Sequence, residues 1–131
     1  MALNERATSE VAEVMNNYVR YYNERNAGKV LSLFSKTVSG FGTAKDEIAC
    51  NLSELRERIL IDLSPANAIS MSVKILATGG EMPAAWITGL CNLDGRMGGK
   101  SIHMEGRVTA VLVNHGGKWL FEQVHFSVPD A

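Results

Sequence analysis

The apolar residues of this chain change their spacing about halfway along it. In the first half they recur at intervals of three and four residues, which is the period of an amphipathic helix. In the second half they alternate with polar residues, which is the period of a half-buried strand. Helices followed by an antiparallel run of strands are typical of an α+β domain whose helices cover one face of a sheet. The length predicts a single domain, residues 1–131.

Three helices are predicted before the main sheet. The first begins at Thr8, Ser9 or earlier, and the second is capped by Asn26. The third ends before Pro65. Their buried faces are predicted to contain Val11, Val14, Met15, Tyr18 and Tyr22 in the first, Val30, Leu31, Leu33 and Phe34 in the second, and Ile48, Leu52, Leu55, Ile59 and Leu63 in the third. The stretch VSGFGTA between the second and third helices predicts a short strand and a turn.

Four strands are predicted after the helices. The first alternates from Ile69 to Ile75, and the second, AAWITGLCNL, is apolar on both faces and therefore central. The third is IHMEGRVTAVLV and the fourth is the closing stretch KWLFEQVHFS. The connections are GGEMP, DGRMGGK and NHGG.

Charge and composition exclude several classes of function. Thirteen basic and fourteen acidic residues give a net charge of −1, which argues against a nucleic-acid or anionic-membrane partner. The sequence has neither a signal-peptide pattern nor an apolar run of transmembrane length, and its two cysteines are far apart, so we expect a reduced, cytoplasmic protein. The three histidines lack metal-site spacing, and no nucleotide or flavin motif is present, so neither a metal nor a cofactor is predicted.

The last hairpin decides which polar residues meet. His115, Gly116 and Gly117 fit a three-residue loop, a type I turn with its third residue in the left-handed region. That loop pairs Arg107 with His125, and the register continues with Thr109 opposite Gln123 and Glu105 opposite Ser127. A two-residue loop would separate Arg107 from His125.

In this register every odd-numbered residue of both strands lies on one sheet face. One end of that face is apolar, with Val111, Val113, Trp119 and Phe121. The other end is polar and consists of His103, Glu105, Arg107, Thr109, Gln123, His125 and Ser127. A face that begins as core and opens into a polar-lined cavity accounts for both ends, so these polar residues are the predicted ligand-binding set.

Within this set, His125 and Glu105 are the candidate catalytic proton carriers. Arg107 is the candidate anchor for a ligand carboxylate, because its planar guanidinium pairs with both oxygens. The alternatives are a purely structural His125, and a cross-strand charge pair between Glu105 and Arg107 that stabilises the sheet without chemistry.

Three stretches of the sequence are similar to one known family. The stretches GFGTAKDE, RVTAVLVNHGGKW and QVHFSVP resemble the SnoaL-like branch of the nuclear transport factor 2-like superfamily, and the resemblance covers essentially the whole chain. It is similar in particular to the association domain of calcium/calmodulin-dependent kinase, and also to ketosteroid isomerase-like proteins. The closing strand of the kinase domains reads H-x-H-x-S. Here Gln123 stands at the first position, while His125 and Ser127 match.

The resemblance implies a cystatin-like cone, in which a strongly curved antiparallel sheet wraps around the long N-terminal helix and encloses a pocket. It also implies a homodimer through the outer sheet face. A helix lying across the cone can point the Tyr22 hydroxyl into the pocket, and Trp86 and Phe41 can line its apolar end, although ordinary core packing is the alternative for both rings.

The resemblance leaves three functions open. The first is a small-molecule-binding protein for an apolar ligand with a carboxylate or a carbonyl. The second is an isomerase- or lyase-like enzyme, similar to ketosteroid isomerases or dehydratases, that uses acid/base chemistry. The third is a non-catalytic dimeric assembly module.

Overall fold

Asparagine side chains begin all three helices. The computed structural model describes residues 2–129. Helix α1 (Glu5–Asn23) starts earlier than Thr8, because the Asn4 side chain accepts a hydrogen bond from the backbone N–H of Ala7 at 2.8 Å. The predicted Asn26 cap of α2 (Ala27–Leu31) is confirmed, since its side chain accepts from the N–H of Lys29 at 3.0 Å. Asn51 caps α3 (Leu52–Asp62) in the same way.

Within residues 2–129 the sheet has six strands, two of which precede α3. They are β1 (Phe34–Phe41), β2 (Ile48–Ala49), β3 (Asn67–Glu81), β4 (Ala84–Met97), β5 (Lys100–His115) and β6 (Lys118–Ser127). Their order is β2-β1-β6-β5-β4-β3, and every pairing is antiparallel except the parallel pair β1–β6. Two residues predicted to be helical therefore lie in strands: Phe34 opens β1, and Ile48 belongs to β2.

The inner face of this sheet packs around α1. The helix contacts both β3 and β6, which are separated by two strands in the sheet, so the sheet curves around the helix as a cone does. The predicted stripe residues Val11, Met15, Tyr18 and Tyr22 are buried against it. The α+β fold with a long N-terminal helix and two further helices is confirmed.

The last hairpin has a two-residue loop, so the predicted three-residue loop is wrong. His115 pairs with Lys118, and Gly116 and Gly117 have φ values of 62° and 97°, the positive values that a type I′ turn requires. The two-residue loop and an irregularity in β6 together place Thr109 opposite His125 and Arg107 opposite Ser127.

A β-bulge in β6 then changes which residues face inward. Leu112 pairs with Phe121 and Val111 pairs with Gln123, so Glu122 is an extra residue without a partner in β5. Before the bulge Trp119 and Phe121 are buried, and after it Val124 is buried while His125 is exposed. The aromatic residues and the polar residues of β6 thus lie on opposite faces of the sheet.

Hydrogen bonds hold the bulge in place. Glu122 Oε2 accepts from Ser35 Oγ at 2.6 Å and from Thr37 Oγ1 at 2.5 Å, and Glu122 Oε1 lies 3.5 Å from Nε2 of His115. Burial opposes the charge, but the Ser35 and Thr37 hydroxyls, together with the His115 imidazole, outweigh it and hold the pKa of Glu122 below its ordinary value. Because Ser35 and Thr37 belong to β1, these bonds also tie β1 to β6.

Candidate functional site

The polar residues predicted to line the cavity lie on the outer face of the sheet. The predicted register placed them on the cavity wall, and that placement is wrong because the loop has two residues and Glu122 shifts the alternation. Whether any of them has a binding or catalytic role stays a prediction. The residues on this outer face are His103, Glu105, Arg107, Thr109, Gln123, His125 and Ser127.

Their neighbours confirm this outward placement. His125 pairs with Thr109, and its ring lies 5.3 Å from that of Phe41, measured between centroids. His103 forms a hydrogen bond with Asp94 through Nδ1, and its Nε2 lies 3.7 Å from Glu105 Oε1. The Asp94 hydrogen bond is the main reason that the pKa of His103 lies above its ordinary value. These contacts join surface groups and leave the interior of the cone to other residues.

Large apolar side chains share this outer face. Trp86 is 49% exposed and pairs with Val111, and Leu90 is 44% exposed and pairs with Arg107. Trp86 was predicted to line the apolar end of the pocket, but it stands over Gly79 on the outside of the sheet. A sheet face that combines apolar and polar side chains in this way is typical of an interaction surface.

A cavity of about 90 Å³ lies inside the cone, on the opposite side of the sheet. Its lining comes from α1, α3, the β1–β2 connection and the inner face of the sheet. Most of this lining is apolar and includes Phe34, Leu55, Ile59, Ile69, Met71, Leu93, Met97, Met104, Val124 and Phe126. Tyr22 lies on the cavity wall, and Phe41 borders it while directing its ring toward His125.

Two tyrosines of α1, Tyr18 and Tyr22, line this cavity. Tyr18 packs among aromatic rings, with its centroid 5.9 Å from Phe121 and 6.0 Å from Phe34. Burial is the main cause that raises the pKa of both Tyr18 and Tyr22, and the negative charge of the nearby Asp62 raises both further. Both hydroxyls therefore stay protonated near neutral pH and can donate hydrogen bonds.

Asp62, the last residue of α3, supplies a carboxyl group. Burial, foremost, and the charge of Glu47 raise its pKa from 3.8 to about 6, against the opposing effects of Arg58 and Arg25. Arg25 fixes the chain around this residue, because its guanidinium donates to the carbonyls of Asp62, Ser64, Asn67 and Ile69 at 2.6–3.3 Å. A carboxyl group with a pKa near neutrality can both accept and release a proton under ordinary conditions.

Glu47 and Arg58 form the third polar element of the cavity. Glu47 Oε2 lies 3.6 Å from Nη2 of Arg58, and their side chains are 17% and 29% exposed. Glu47 Oε1 also accepts from the N–H of Ala44 at 2.9 Å, which fixes the connection between β1 and β2. Nε of Arg58 is buried and has no hydrogen-bond partner among residues 2–129.

Tyr18, Glu47, Arg58 and Asp62 line the cavity but were not among the site residues predicted from the sequence. Tyr18 was predicted as part of the core stripe of α1 without a role in a site. Asp62 follows Leu55 and Ile59 at helical spacing, so an acid on the buried stripe of α3 was the available signal. Arg58 is four residues before Asp62, on the same side of that helix.

The family model of the SnoaL-like domain matches residues 11–131, so the chain belongs to the SnoaL-like domain family. Among curated protein sequences, none is significantly similar to this chain.

Solved structures confirm the resemblance to cystatin-like and nuclear transport factor 2-like proteins. A candidate calcium/calmodulin-dependent protein kinase II association domain from Xanthomonas campestris is 20% identical, with a TM-score of 0.74 over 92% of this chain and 86% of that chain. A ketosteroid isomerase-like protein from Erwinia carotovora atroseptica SCRI1043 is 14% identical, with a TM-score of 0.82 over 98% of this chain and 100% of that chain.

A third structure is a candidate dehydratase of the NTF2-like family from Streptomyces avermitilis. It is 13% identical, with a TM-score of 0.84 over 95% of this chain and 96% of that chain. At these identities the similarity establishes the fold alone. No helix within residues 2–129 is long and apolar enough to cross a membrane.

Proposed function

We propose that the chain is a small-molecule-binding protein whose ligand occupies the cavity inside the cone. The observation that carries this proposal is the combination of a mainly apolar cavity with one carboxyl group, Asp62, whose pKa is raised to about 6. Such a group is unfavourable in the empty protein, because burial opposes its charge. The presence of Asp62 in this cavity is therefore better explained by a role in ligand recognition than by a contribution to folding stability.

The lining supports a ligand of about one ring in size. Cavities of about 150 Å³ lined by apolar side chains bind benzene in other proteins. The cavity here, at about 90 Å³, also has Met71, Met97 and Met104 on its wall, and methionine side chains adapt readily to the shape of a ligand. The apolar wall would contact the ring, while Asp62 and the tyrosine hydroxyls would contact its polar substituent.

An acid/base enzyme is the second candidate, and the polar groups of the cavity favour it. The Asp62 carboxylate would take a proton from a carbon next to a ligand carbonyl, and Tyr18 or Tyr22 would donate a hydrogen bond to the oxygen that gains negative charge. Return of that proton from Asp62 to another carbon would complete an isomerisation. Alternatively, loss of a β-hydroxyl group as water, with the proton from Asp62, would complete a dehydration.

A ligand screen on the full chain tests both candidates. We expect one-ring carbonyl and hydroxyl compounds to raise the melting temperature and to perturb NMR signals of cavity methionines. Asp62→Asn should abolish turnover of any substrate, while Asp46→Asn, which removes an exposed carboxylate outside the cavity lining, should not. If ligands instead perturb only residues of the outer face, such as Arg107 and His125, the proposed binding site is wrong.

We further propose that a second copy of the chain covers the outer sheet face, where Trp86 and Leu90 are nearly half exposed. Trp86→Lys would place a charge in the interface and should convert a dimer into a folded monomer in light scattering, with unchanged circular dichroism. Lys74→Ala is a control, because it alters an exposed charged residue opposite Leu90 without adding a charge. A wild-type chain that stays monomeric at high concentration would refute the dimer.

A further inference from the structure

The charged side chains in the lining of the cavity are not balanced. Three charged side chains line it within the described part of the chain, namely Glu47, Arg58 and Asp62. Arg58 already faces Glu47 at 3.6 Å, which leaves the charge of Asp62 without an equivalent cation in the lining. Arg25 lies outside this lining, where its guanidinium donates to four backbone carbonyls between residues 62 and 69. Its positive charge and that of Arg58 lower the pKa of Asp62, but burial and the charge of Glu47 outweigh both arginines.

A ligand carboxylate would therefore enter an unfavourable environment. It would lose its hydration in a mainly apolar cavity and would be repelled by Asp62 and Glu47, which together outnumber Arg58. The surroundings that disfavour the ionised form of Asp62, whose pKa is about 6, disfavour any further anion for the same two reasons. A hydroxyl group meets no such penalty, because it can donate a hydrogen bond to the Asp62 carboxylate.

We propose that the cavity selects an uncharged one-ring alcohol, phenol or ketone and rejects the corresponding carboxylate. The inference rests on the proposed function, since it specifies the ligand class of the same cavity. It replaces the carboxylate ligand that the sequence suggested, because the predicted anchor, Arg107, lies on the outer face.

Two probes of equal size separate these ligand classes. Benzyl alcohol and benzoate share one ring and a similar length, and differ in charge. In calorimetric titrations of the full chain at about pH 8, we expect benzyl alcohol to bind and benzoate to bind about tenfold more weakly or worse, as expected for like charges within a cavity.

Asp62 should be the source of this discrimination. Asp62→Asn should strengthen benzoate binding about tenfold relative to benzyl alcohol binding, because the amide lacks the charge that repels the carboxylate. Asp46→Asn removes the same charge from an exposed position and should leave both affinities unchanged. At about pH 5, where Asp62 is mostly protonated, the wild-type preference should shrink without any substitution.

The possible results have distinct meanings. Benzoate binding as tightly as benzyl alcohol at about pH 8 would overturn the charge selection and leave the proposed binding function intact. A preference that persists unchanged in Asp62→Asn and at low pH would overturn the role of Asp62. If no one-ring compound binds to the cavity, both the inference and the proposed function fail.

Discussion

The buried charge of Asp62 should lower the free energy of unfolding at neutral pH. Its pKa of about 6 lies above the value of 3.8 for an unperturbed aspartate, so the folded chain binds the proton more tightly than the unfolded chain does. The stabilisation from this proton is complete below the pKa that Asp62 has in the unfolded chain. It is lost as the pH rises through the pKa that Asp62 has in the folded chain. Above pH 7 the protein therefore carries the full cost of burying the charge.

The size of this cost follows from the shift. About two pKa units correspond to about 3 kcal/mol, because each unit represents about 1.4 kcal/mol. Asp62 is only partly buried, so solvent screening reduces the expected cost to about 1–2 kcal/mol. Asparagine has the shape of a protonated aspartate without its charge, and Asp62→Asn should raise the free energy of unfolding by this amount at about pH 8.

Urea unfolding of both proteins between about pH 3 and pH 8 measures the effect. The difference in the free energy of unfolding should be near zero below pH 3.8, where Asp62 is mostly protonated in both states of the wild-type chain, should grow as the pH rises from 3.8, and should level off above about 6. Asp46→Asn, at an exposed position, should show no such gain. A variant less stable than the wild type at about pH 8 would refute the reasoning, because it would mean that Arg25 and Arg58 overcompensate the burial of Asp62.

Three further substitutions test the last hairpin, its bulge and the hydrogen bonds of Arg25, each by urea unfolding monitored by circular dichroism. Glu122→Gln should lower the free energy of unfolding by about 1–3 kcal/mol at neutral pH, since the carboxylate accepts two hydroxyl donors. Because the pKa of Glu122 is lowered in the folded chain, the difference between variant and wild type should fade as the pH drops through that pKa. Gly117→Ala should cost about 1–2 kcal/mol because φ is 97°, whereas Gly28→Ala in α2 should cost nothing, and equal effects would contradict the two-residue turn. Arg25→Lys should cost about 2–4 kcal/mol, because one ammonium cannot reproduce a fork that donates to four carbonyls, and a neutral effect would show that these bonds are dispensable.

The order of the elements could be predicted from the sequence because it depends on periodicity. The stripes of α1 and α3 and the alternation of β3 are local signals, and they place the helices before the sheet without any tertiary information. The Asn26 cap was also predictable, since a side chain that accepts from the next turn is a local interaction. The overall cone came from the resemblance to a family and not from these signals.

The register of the last hairpin could not be read from periodicity alone, because two errors combined. The pair Gly116–Gly117 is compatible with either loop length, and the bulge has no residue type of its own. The apolar residues do contain a signal, since Trp119 and Phe121 are odd-numbered and Val124 and Phe126 are even-numbered. That change of parity marks the extra residue, and treating β6 as one uninterrupted alternation assigned its polar residues to the wrong face.

The bulge also explains why the polar groups of the cavity come from outside the main sheet. With Glu122 inserted, β5 and β6 direct Val108, Val124 and Phe126 inward, so the sheet offers the cavity a mainly apolar wall. Polar groups can then reach the cavity from α1, from α3 and from the connection before β2, which is where Tyr18, Asp62 and Glu47 are found. The proposed ligand binding and the proposed association through the outer face consequently depend on different elements. Substitutions in α3 should alter ligand selection without changing the oligomeric state, and substitutions on the outer face of β4 should do the reverse.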